Sequence, residues 1–155
     1  MLRVTRLLPG GLGLNAIALA AAATLALDWD VRQKSRFDAL DSQGRRLGVF
    51  LPWGSVVRGG DVLEADDSSL IQVIAAAQPV LCVRWPGADT ALALIRAAYH
   101  LGNRHVPLAL EPDQLKLEPD HVLAAMLETM GYTVVAVEAA FEPESGAYGG
   151  HHGHR

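Results

Sequence analysis

The sequence predicts an α+β chain, with a small all-β N-terminal domain at residues 1–75 followed by a ferredoxin-like βαββαβ domain at residues 79–142. Three observations lead to this prediction. Short apolar runs between Gly-rich turns fill the first half, which is typical of a small β-barrel or sandwich. Two stretches of helical periodicity alternate with four predicted strands in the second half. The alanine-rich joint 75–79, which ends in a proline, separates the two halves.

Composition limits the class of protein. Of the 155 residues, 50% are hydrophobic and only 19% are charged, which predicts a packed globular chain. The net charge of -4 leaves no broad cationic face for a nucleic-acid backbone, so no nucleic-acid partner is expected. The single cysteine, Cys82, excludes an intrachain disulfide and a multi-cysteine zinc module. A reducing, cytoplasmic setting fits this composition.

The N-terminal segment has the appearance of a secretory signal, because a basic start, MLRVTR, precedes an apolar run with small residues. Pro9 and the glycines that follow interrupt the run. The uninterrupted part, Ala16–Leu27, is too short to span a bilayer, so no membrane segment is expected. By propensity Ala16–Leu27 is an alanine-rich helix, and the alternative is a strand that leaves the Gly10–Gly13 loop.

The first domain is predicted to consist of short strands and tight turns. The clearest strands are 47–51, 62–65 and 70–74, and the clearest turns are 41–44 and 66–69. Its cationic residues form either a docking face for a partner or a solvated charged face, and the solvated face is the simpler interpretation. These residues are Arg32, Lys34, Arg36, Arg45 and Arg46.

The second domain is predicted to begin with a strand at Val80–Trp85. Asp89 is placed to cap the helix that follows, and Gly102 and Asn103 are suited to its left-handed C-terminal end. Apolar residues at helical spacing predict the buried face of this helix. They are Leu92, Ile95 and Tyr99.

The remaining elements complete the split βαββαβ unit. Strands at 108–110 and 114–118 flank a turn and form a hairpin. A second helix starts at Pro119 and Asp120 and stops at Gly131, and a last strand follows at 133–137. The predicted buried stripe of this helix contains Leu123, Met126, Leu127 and Met130. A fold of this kind hosts many functions, so function must come from a site.

His105 is the first candidate for such a site. It lies three residues past Gly102, outside the first helix, where its ring can face solvent or another chain. A lone loop histidine is commonly a plain surface residue, but imidazole also suits nickel, copper and zinc. Because one ligand per chain is too few, a two-fold axis near His105 would let a homodimer share one ion.

The other histidines are weaker candidates. His121 falls in the first turn of the second helix, on the outward side, where the helix dipole favours a neutral ring that could be an accessory ligand. His100 is interpreted as a packed or capping residue. The tail at 143–155 is expected to be flexible, and it ends in a histidine-rich run with interspersed glycines, Gly149–Arg155, of the type that collects transition metals. Its histidines are His151, His152 and His154.

No catalytic motif accompanies these histidines. The sequence contains no carboxylate dyad, Ser/His/Asp set or HExxH. The Gly10–Gly13 loop lacks the spacing and the lysine of a nucleotide cradle. An enzyme is therefore not expected.

Several stretches carry a resemblance to a known family. They are 99–108 (YHLGNRHVPL), 120–123 (DHVL), 141–148 (FEPESGAY), 57–63 (VRGGDVL) and the histidine-containing end. Together they resemble the urease accessory protein UreE family of nickel metallochaperones. The resemblance implies a β-rich N-terminal domain that binds a partner or peptide, a ferredoxin-like metal-binding domain, and a homodimer that holds nickel at His105. It also favours a strand at Ala16–Leu27 over a signal peptide.

The implied partners are the urease apoprotein and its accessory proteins, including a GTPase. One departure concerns Pro119, which stands where some members have a further histidine two residues before the one matching His121. The second departure is the tail, which has only three histidines. We therefore expect capture and hand-off of nickel rather than bulk storage, although zinc or copper can bind the same rings. The alternatives are a histidine-rich buffering or sensing protein, and a non-metal dimeric interaction module.

Overall fold

The computed structural model describes residues 1–146, and the chain divides into two compact units between Ala76 and Ala77. The sequence places the joint at 75–79, whereas Gln78 and Pro79 already lie in a strand, opposite Ala139 and Glu138. Among the helices of residues 1–146, none has both the length and the apolar content that crossing a bilayer requires.

The first unit is built on one six-stranded mixed sheet. Its elements are β1 (Leu2–Leu8), a 3₁₀ turn (Pro9–Gly11), α1 (Ala16–Ala21), β2 (Ala23–Leu27), α2 (Trp29–Arg32), β3 (Arg36–Leu40), β4 (Arg46–Phe50), β5 (Val62–Ala65) and β6 (Leu70–Ala75). The strand order is β2-β6-β5-β1-β4-β3. Pairs β1–β4 and β2–β6 are parallel and the others are antiparallel.

The sheet is nearly closed, because the turn after β3 reaches β2 at the opposite edge. The Ser42 N–H donates to the Thr24 carbonyl at 2.8 Å, and the Thr24 N–H donates to the Ser42 Oγ at 2.9 Å. Alternate apolar residues of the strands fill the interior, as the period of two in the sequence predicts. The core includes Val4, Leu25, Leu47, Val49, Leu63, Ile71 and Val73. The β-rich first domain is confirmed.

The stretch Ala16–Leu27 forms a helix and a strand in succession. The Asn15 side chain accepts from the Ala18 N–H at 2.8 Å, which caps α1 where alanine propensity already favours a helix. From Ala23 onward, alternate residues are buried and β2 pairs with β6. The expectation of a strand is therefore right for β2 and wrong for α1.

The second unit is the βαββαβ arrangement that the sequence predicts. Its elements are β7 (Ala77–Arg84), α3 (Thr90–Asn103), β8 (Leu108–Leu110), β9 (Leu115–Leu117), α4 (His121–Thr129) and β10 (Thr133–Ala140). The sheet is antiparallel, in the order β10-β7-β9-β8. Leu81 and Val83 of β7 contact the core formed with both helices, and the stripe predicted for α4 packs against that core.

Helix α3 buries a different face from the predicted one. Leu92, Ile95 and Tyr99 are 54%, 65% and 69% exposed. The buried residues are instead Ala93, Leu94, Ala97 and Leu101. Since α3 is apolar on more than one side, helical spacing alone could not choose between the faces. The side with two alanines packs on the sheet, where small residues allow close approach.

Candidate metal centre

His105 ends helix α3 through a specific backbone arrangement. The residue has a φ of 60°, in the left-handed region. Its N–H donates to the Gly102 carbonyl at 2.9 Å, and the Val106 N–H donates to the Leu101 carbonyl at 3.1 Å. This pair of bonds is a Schellman motif, in which the left-handed position normally holds glycine. The predicted left-handed end at Gly102 and Asn103 is wrong, because both residues are still helical.

The left-handed position has an energetic cost. For an L-residue with a Cβ this conformation is less stable than the right-handed one by roughly 1 kcal/mol. Among residues 1–146, only Ser68, Asp89 and His105 have positive φ without being glycine. His105 is exposed, so burial in the core does not explain why a histidine occupies this position.

An exposed apolar stripe runs along α3 towards His105. We define it as Leu92, Ile95 and Tyr99, all more than half exposed. At about 100° per residue, Asn103 lies within roughly 20° of Leu92 around the helix axis. The last residue of α3 is therefore on the same side of the helix as the stripe. The Tyr99 and His100 rings are in edge contact, 5.5 Å between centroids. His100 is exposed and lies in the last turn of α3, so the packed alternative predicted for it is wrong.

His121 is the first residue of α4 and is exposed. The helix start is held by Asp120, whose Oδ1 accepts from the Val122 N–H at 2.9 Å and from the Leu123 N–H at 3.0 Å. Asp89, the residue at the start of α3, has a left-handed backbone and caps no N–H with its side chain, so its predicted side-chain cap is wrong.

The segment after β10 crosses the sheet towards His105. The Lys116 Nζ donates to the Ala140 carbonyl at 3.0 Å, Phe141 is fully buried, and the Glu144 N–H donates to the Leu108 carbonyl at 2.8 Å. Since β10 and β8 are opposite edges of the sheet, residues 141–144 span its width. The chain therefore reaches the tail from a point beside Leu108, three residues after His105.

This crossing segment passes the helix-free face, on which Lys116 and Cys82 are paired across β9 and β7. Burial raises the pKa of the Cys82 thiol. Lys116 also forms an ion pair of 2.8 Å with Glu111. Hydrogen bonds from Lys116 and then from Gln114 hold the pKa of the Glu111 carboxyl below its ordinary value. The hairpin that follows His105 is thus tied to the crossing segment.

The described residues do not converge into a complete metal site. Within residues 1–146, no three His, Cys, Asp or Glu side chains are placed to hold one ion. The structure thus leaves His105 and His121 outside any such group, and His151, His152 and His154 lie outside the described residues.

Comparison with known families decides where the chain belongs. Residues 4–76 match the family model described as "UreE urease accessory protein, N-terminal domain". Residues 78–155 match the corresponding "UreE urease accessory protein, C-terminal domain". The chain belongs to the UreE family.

Individual UreE proteins are similar over nearly the whole chain. The urease accessory protein UreE of Albidiferax ferrireducens is 62% identical over 154 residues, covering 97% of this chain and 88% of the relative. That of Methylibium petroleiphilum is 66% identical over 150 residues, covering 96% and 69% respectively. That of Polaromonas naphthalenivorans is 61% identical, covering 99% and 75%.

Membership of the UreE family confirms two predictions. The chain has a role in urease maturation, and as an accessory protein it is not itself an enzyme. Sequence reasoning missed the exposed stripe on α3 and the crossing segment. The exposed stripe could have been found from Ala93 and Ala97, whose helical spacing marks a second apolar face. The crossing segment depends on long-range contacts that no local pattern reveals.

Proposed function

We propose that this chain is a nickel metallochaperone, in which two copies hold one Ni²⁺ ion between their His105 side chains and release it for insertion into urease. The observation that carries the proposal is the left-handed backbone of His105, where glycine would end the helix at lower cost. A residue held in a costly conformation suggests a role for its side chain. In a urease accessory protein, an exposed imidazole suits metal binding.

The ligand count supports a shared site. A single chain offers no group of three ligands within residues 1–146. A two-fold axis close to His105 would bring together two equivalent imidazoles, each fixed at a helix end of the same geometry. The ion would then belong to the dimer and not to either chain.

The exposed stripe on α3 supports the homodimer. Leu92, Ile95 and Tyr99 leave an apolar helix face in contact with solvent in the single chain. Burying apolar surface of this kind is favourable by roughly 25 cal/mol per Å². A symmetric pairing in which the two stripes meet at their C-terminal ends, beside Tyr99, would place the two His105 residues near the axis.

The crossing segment supports participation of the tail. Glu144 is anchored at Leu108, and His151 follows it seven positions later. An extended chain spans at most about 3.6 Å per residue, so His151 can reach up to roughly 25 Å from that anchor, and the later tail histidines somewhat further. His151, His152 and His154, or His121 of either chain, could thereby complete the coordination of an ion held by two His105 rings.

An ion held by few protein ligands can leave by ligand exchange. We propose hand-off to the urease apoprotein through its accessory proteins, with a GTPase as the immediate partner, in the cytoplasm. Zinc and copper would bind the same rings, since imidazole accepts all three metals. Neither nucleic acid nor membrane is needed for this function.

The test is nickel titration by calorimetry, with mass determination of the complex. One tight ion per dimer is expected for the wild type, and His105→Ala should weaken it by more than about 100-fold, beyond the loss seen when only a supporting residue is removed. His100→Ala, which removes an exposed histidine of the same helix, is the matched control and should leave the tight ion in place. Unchanged tight binding in His105→Ala would refute the shared site.

Two further measurements separate the parts of the proposal. Deleting residues 149–155 should lower the number of bound ions and spare the tight one. Nickel-loaded wild type should activate apo-urease when free nickel is chelated, whereas a protein that only buffers the metal would not.

A further inference from the structure

The outer face of the first unit carries an arginine cluster that the nickel site does not use. Arg3 of β1 pairs with Gly48 of β4, and Phe50 of β4 pairs with Arg36 of β3. Side chains alternate along a strand, and Val49 is buried in the core. Arg3, Arg36 and Phe50 therefore share the solvent face of the sheet.

The two arginines are held against one aromatic ring. The Arg3 Cζ lies 5.1 Å and the Arg36 Cζ 5.8 Å from the Phe50 ring centroid. A Cβ placed on Gly48 would lie 3.2 Å from the Phe50 Cε2, so the ring occupies the space over this glycine. Cation–π attraction fixes both guanidinium groups relative to the ring. Their positions are set before any ligand arrives.

These two guanidinium groups have no carboxylate partner in the described part of the chain. Three other cations of the same unit do have one. The paired cations are Arg6 with Glu64 at 3.0 Å, Lys34 with Asp30 at 3.4 Å and Arg45 with Asp41 at 2.8 Å. Asp38 shares the face of Arg3 and Arg36 by its register, yet it forms no ion pair with either of them.

We propose that Arg3, Arg36 and Phe50 form a docking site for an acidic segment of a protein partner. Guanidinium is a planar fork that binds carboxylate through two parallel hydrogen bonds. Met1 is 78% exposed, and its Sδ, like the Phe50 ring, lies 3.2 Å from a Cβ placed on Gly48, so an apolar contact is available beside the cations. Arginine is among the residues that contribute most at protein interfaces.

The charge of this face favours an acidic protein segment over a phosphate polymer. Nucleic acid binds by neutralising many phosphates at once, whereas this face offers three arginines, Arg46 included, on a chain of net charge -4. A short acidic peptide needs only two or three cations and gains from the apolar neighbours. The site is separate from His105, so peptide binding should not depend on nickel.

The experiment is a fluorescence anisotropy titration of the metal-free full chain with a labelled peptide, Gly-Glu-Glu-Leu-Glu-Glu-Leu-Gly, and with its glutamine counterpart. The wild type should bind the glutamate peptide and not the glutamine peptide. The double variant Arg3→Gln/Arg36→Gln should bind the glutamate peptide at least about fivefold more weakly, because it loses both carboxylate partners.

The matched control is Arg6→Gln/Lys34→Gln, which removes the same charge from cations that are already paired. It should change affinity by less than about twofold, since its ion pairs lie outside the site. Phe50→Leu should weaken binding while leaving the net charge unchanged. His105→Ala should bind the peptide like the wild type, which separates this site from the nickel proposal.

Equal losses in the two double variants would overturn the proposal, because they would reduce it to general charge attraction. So would the absence of peptide binding by the wild type. Tighter binding of heparin or of phosphatidylserine vesicles, with the same dependence on Arg3 and Arg36, would assign the face to a polyanion and also overturn it. Circular dichroism of each variant checks that the fold is kept.

Discussion

The two helices of the second unit end in the same hydrogen-bond pattern with different residues in the left-handed position. After α4 this residue is Gly131, whose N–H donates to the Glu128 carbonyl at 3.0 Å while the Tyr132 N–H donates to the Leu127 carbonyl at 3.0 Å. After α3 it is His105.

The surroundings explain the difference. A Cβ on Gly131 would lie 3.2 Å from Trp85, and Tyr132 is buried, with its hydroxyl donating to the Ala93 carbonyl at 2.5 Å. Contact with Trp85 and a φ of 100° both favour glycine at the end of α4. The end of α3 is exposed, so packing does not select the residue in its left-handed position. The comparison indicates that packing and backbone geometry select the residue at one helix end and that packing does not select it at the other.

Gly131→Ala is expected to have the largest effect on stability. The left-handed alanine costs roughly 1–2 kcal/mol of unfolding free energy, and its Cβ would also displace Trp85. Urea unfolding at fixed protein concentration measures the change. Gly102→Ala is the control, because Gly102 is helical with open space at its Cβ, and it should gain about 0.5–1 kcal/mol. If Gly131→Ala were as stable as the wild type, packing could not explain the glycine at the end of α4.

His105→Gly should change the unfolding free energy in the opposite direction and by a smaller amount. Release of the left-handed cost, less the entropy that glycine loses on folding, leaves a gain of about 0.5–1 kcal/mol in unfolding free energy. His105→Ala keeps the strain, so in the metal-free protein it should be less stable than His105→Gly by about 0.5–1 kcal/mol. Both variants should lose the tight nickel ion. A His105→Gly protein no more stable than His105→Ala would show that the left-handed conformation has no net cost at this position.

The smallest expected effect is an acid sensitivity of the β8–β9 hairpin, where Glu111 pairs with Lys116. The Glu111 pKa lies below its ordinary value of 4.5, so the ion pair with Lys116 stabilises the fold above that pH and its contribution is lost as pH falls below it. Glu111→Gln should lower stability at pH 7 by about 0.2–1 kcal/mol, the range of exposed ion pairs.

That difference should shrink as the pH falls below 4.5 and disappear once the wild-type carboxylate is protonated. Urea unfolding at pH 7 and at a series of acid pH values measures it. The loss in Gly131→Ala should stay the same across the series, because the contacts at the end of α4 are apolar. A pH-independent deficit in Glu111→Gln would contradict the role of the ion pair.

The sequence predicted most elements and missed those that depend on distant contacts. The predicted bounds of strand β5 match the observed ones, because the turns before and after it are local signals. The buried face of α3 was predicted wrongly, since Leu92 and Ala93 belong to two apolar faces of one helix. Only the sheet that covers Ala93 and Ala97 distinguishes them.

The candidate site was also predicted only in part. Sequence alone singled out His105, His121 and the tail histidines, because their residue type and position indicate metal chemistry. Left-handed strain at His105 and the anchor of Glu144 at Leu108 could not be predicted. Both depend on where residues far apart in the chain meet.

By itself, the sequence determined the order of strands and helices in the second unit, the class of chain and the identity of the candidate ligands, because these follow from local periodicity and side-chain chemistry. Tertiary structure decided which side of α3 faces solvent, which helix end favours glycine and how the last described residues reach His105. These outcomes depend on packing between elements, where a helix with two apolar sides can bury only the one that fits the sheet.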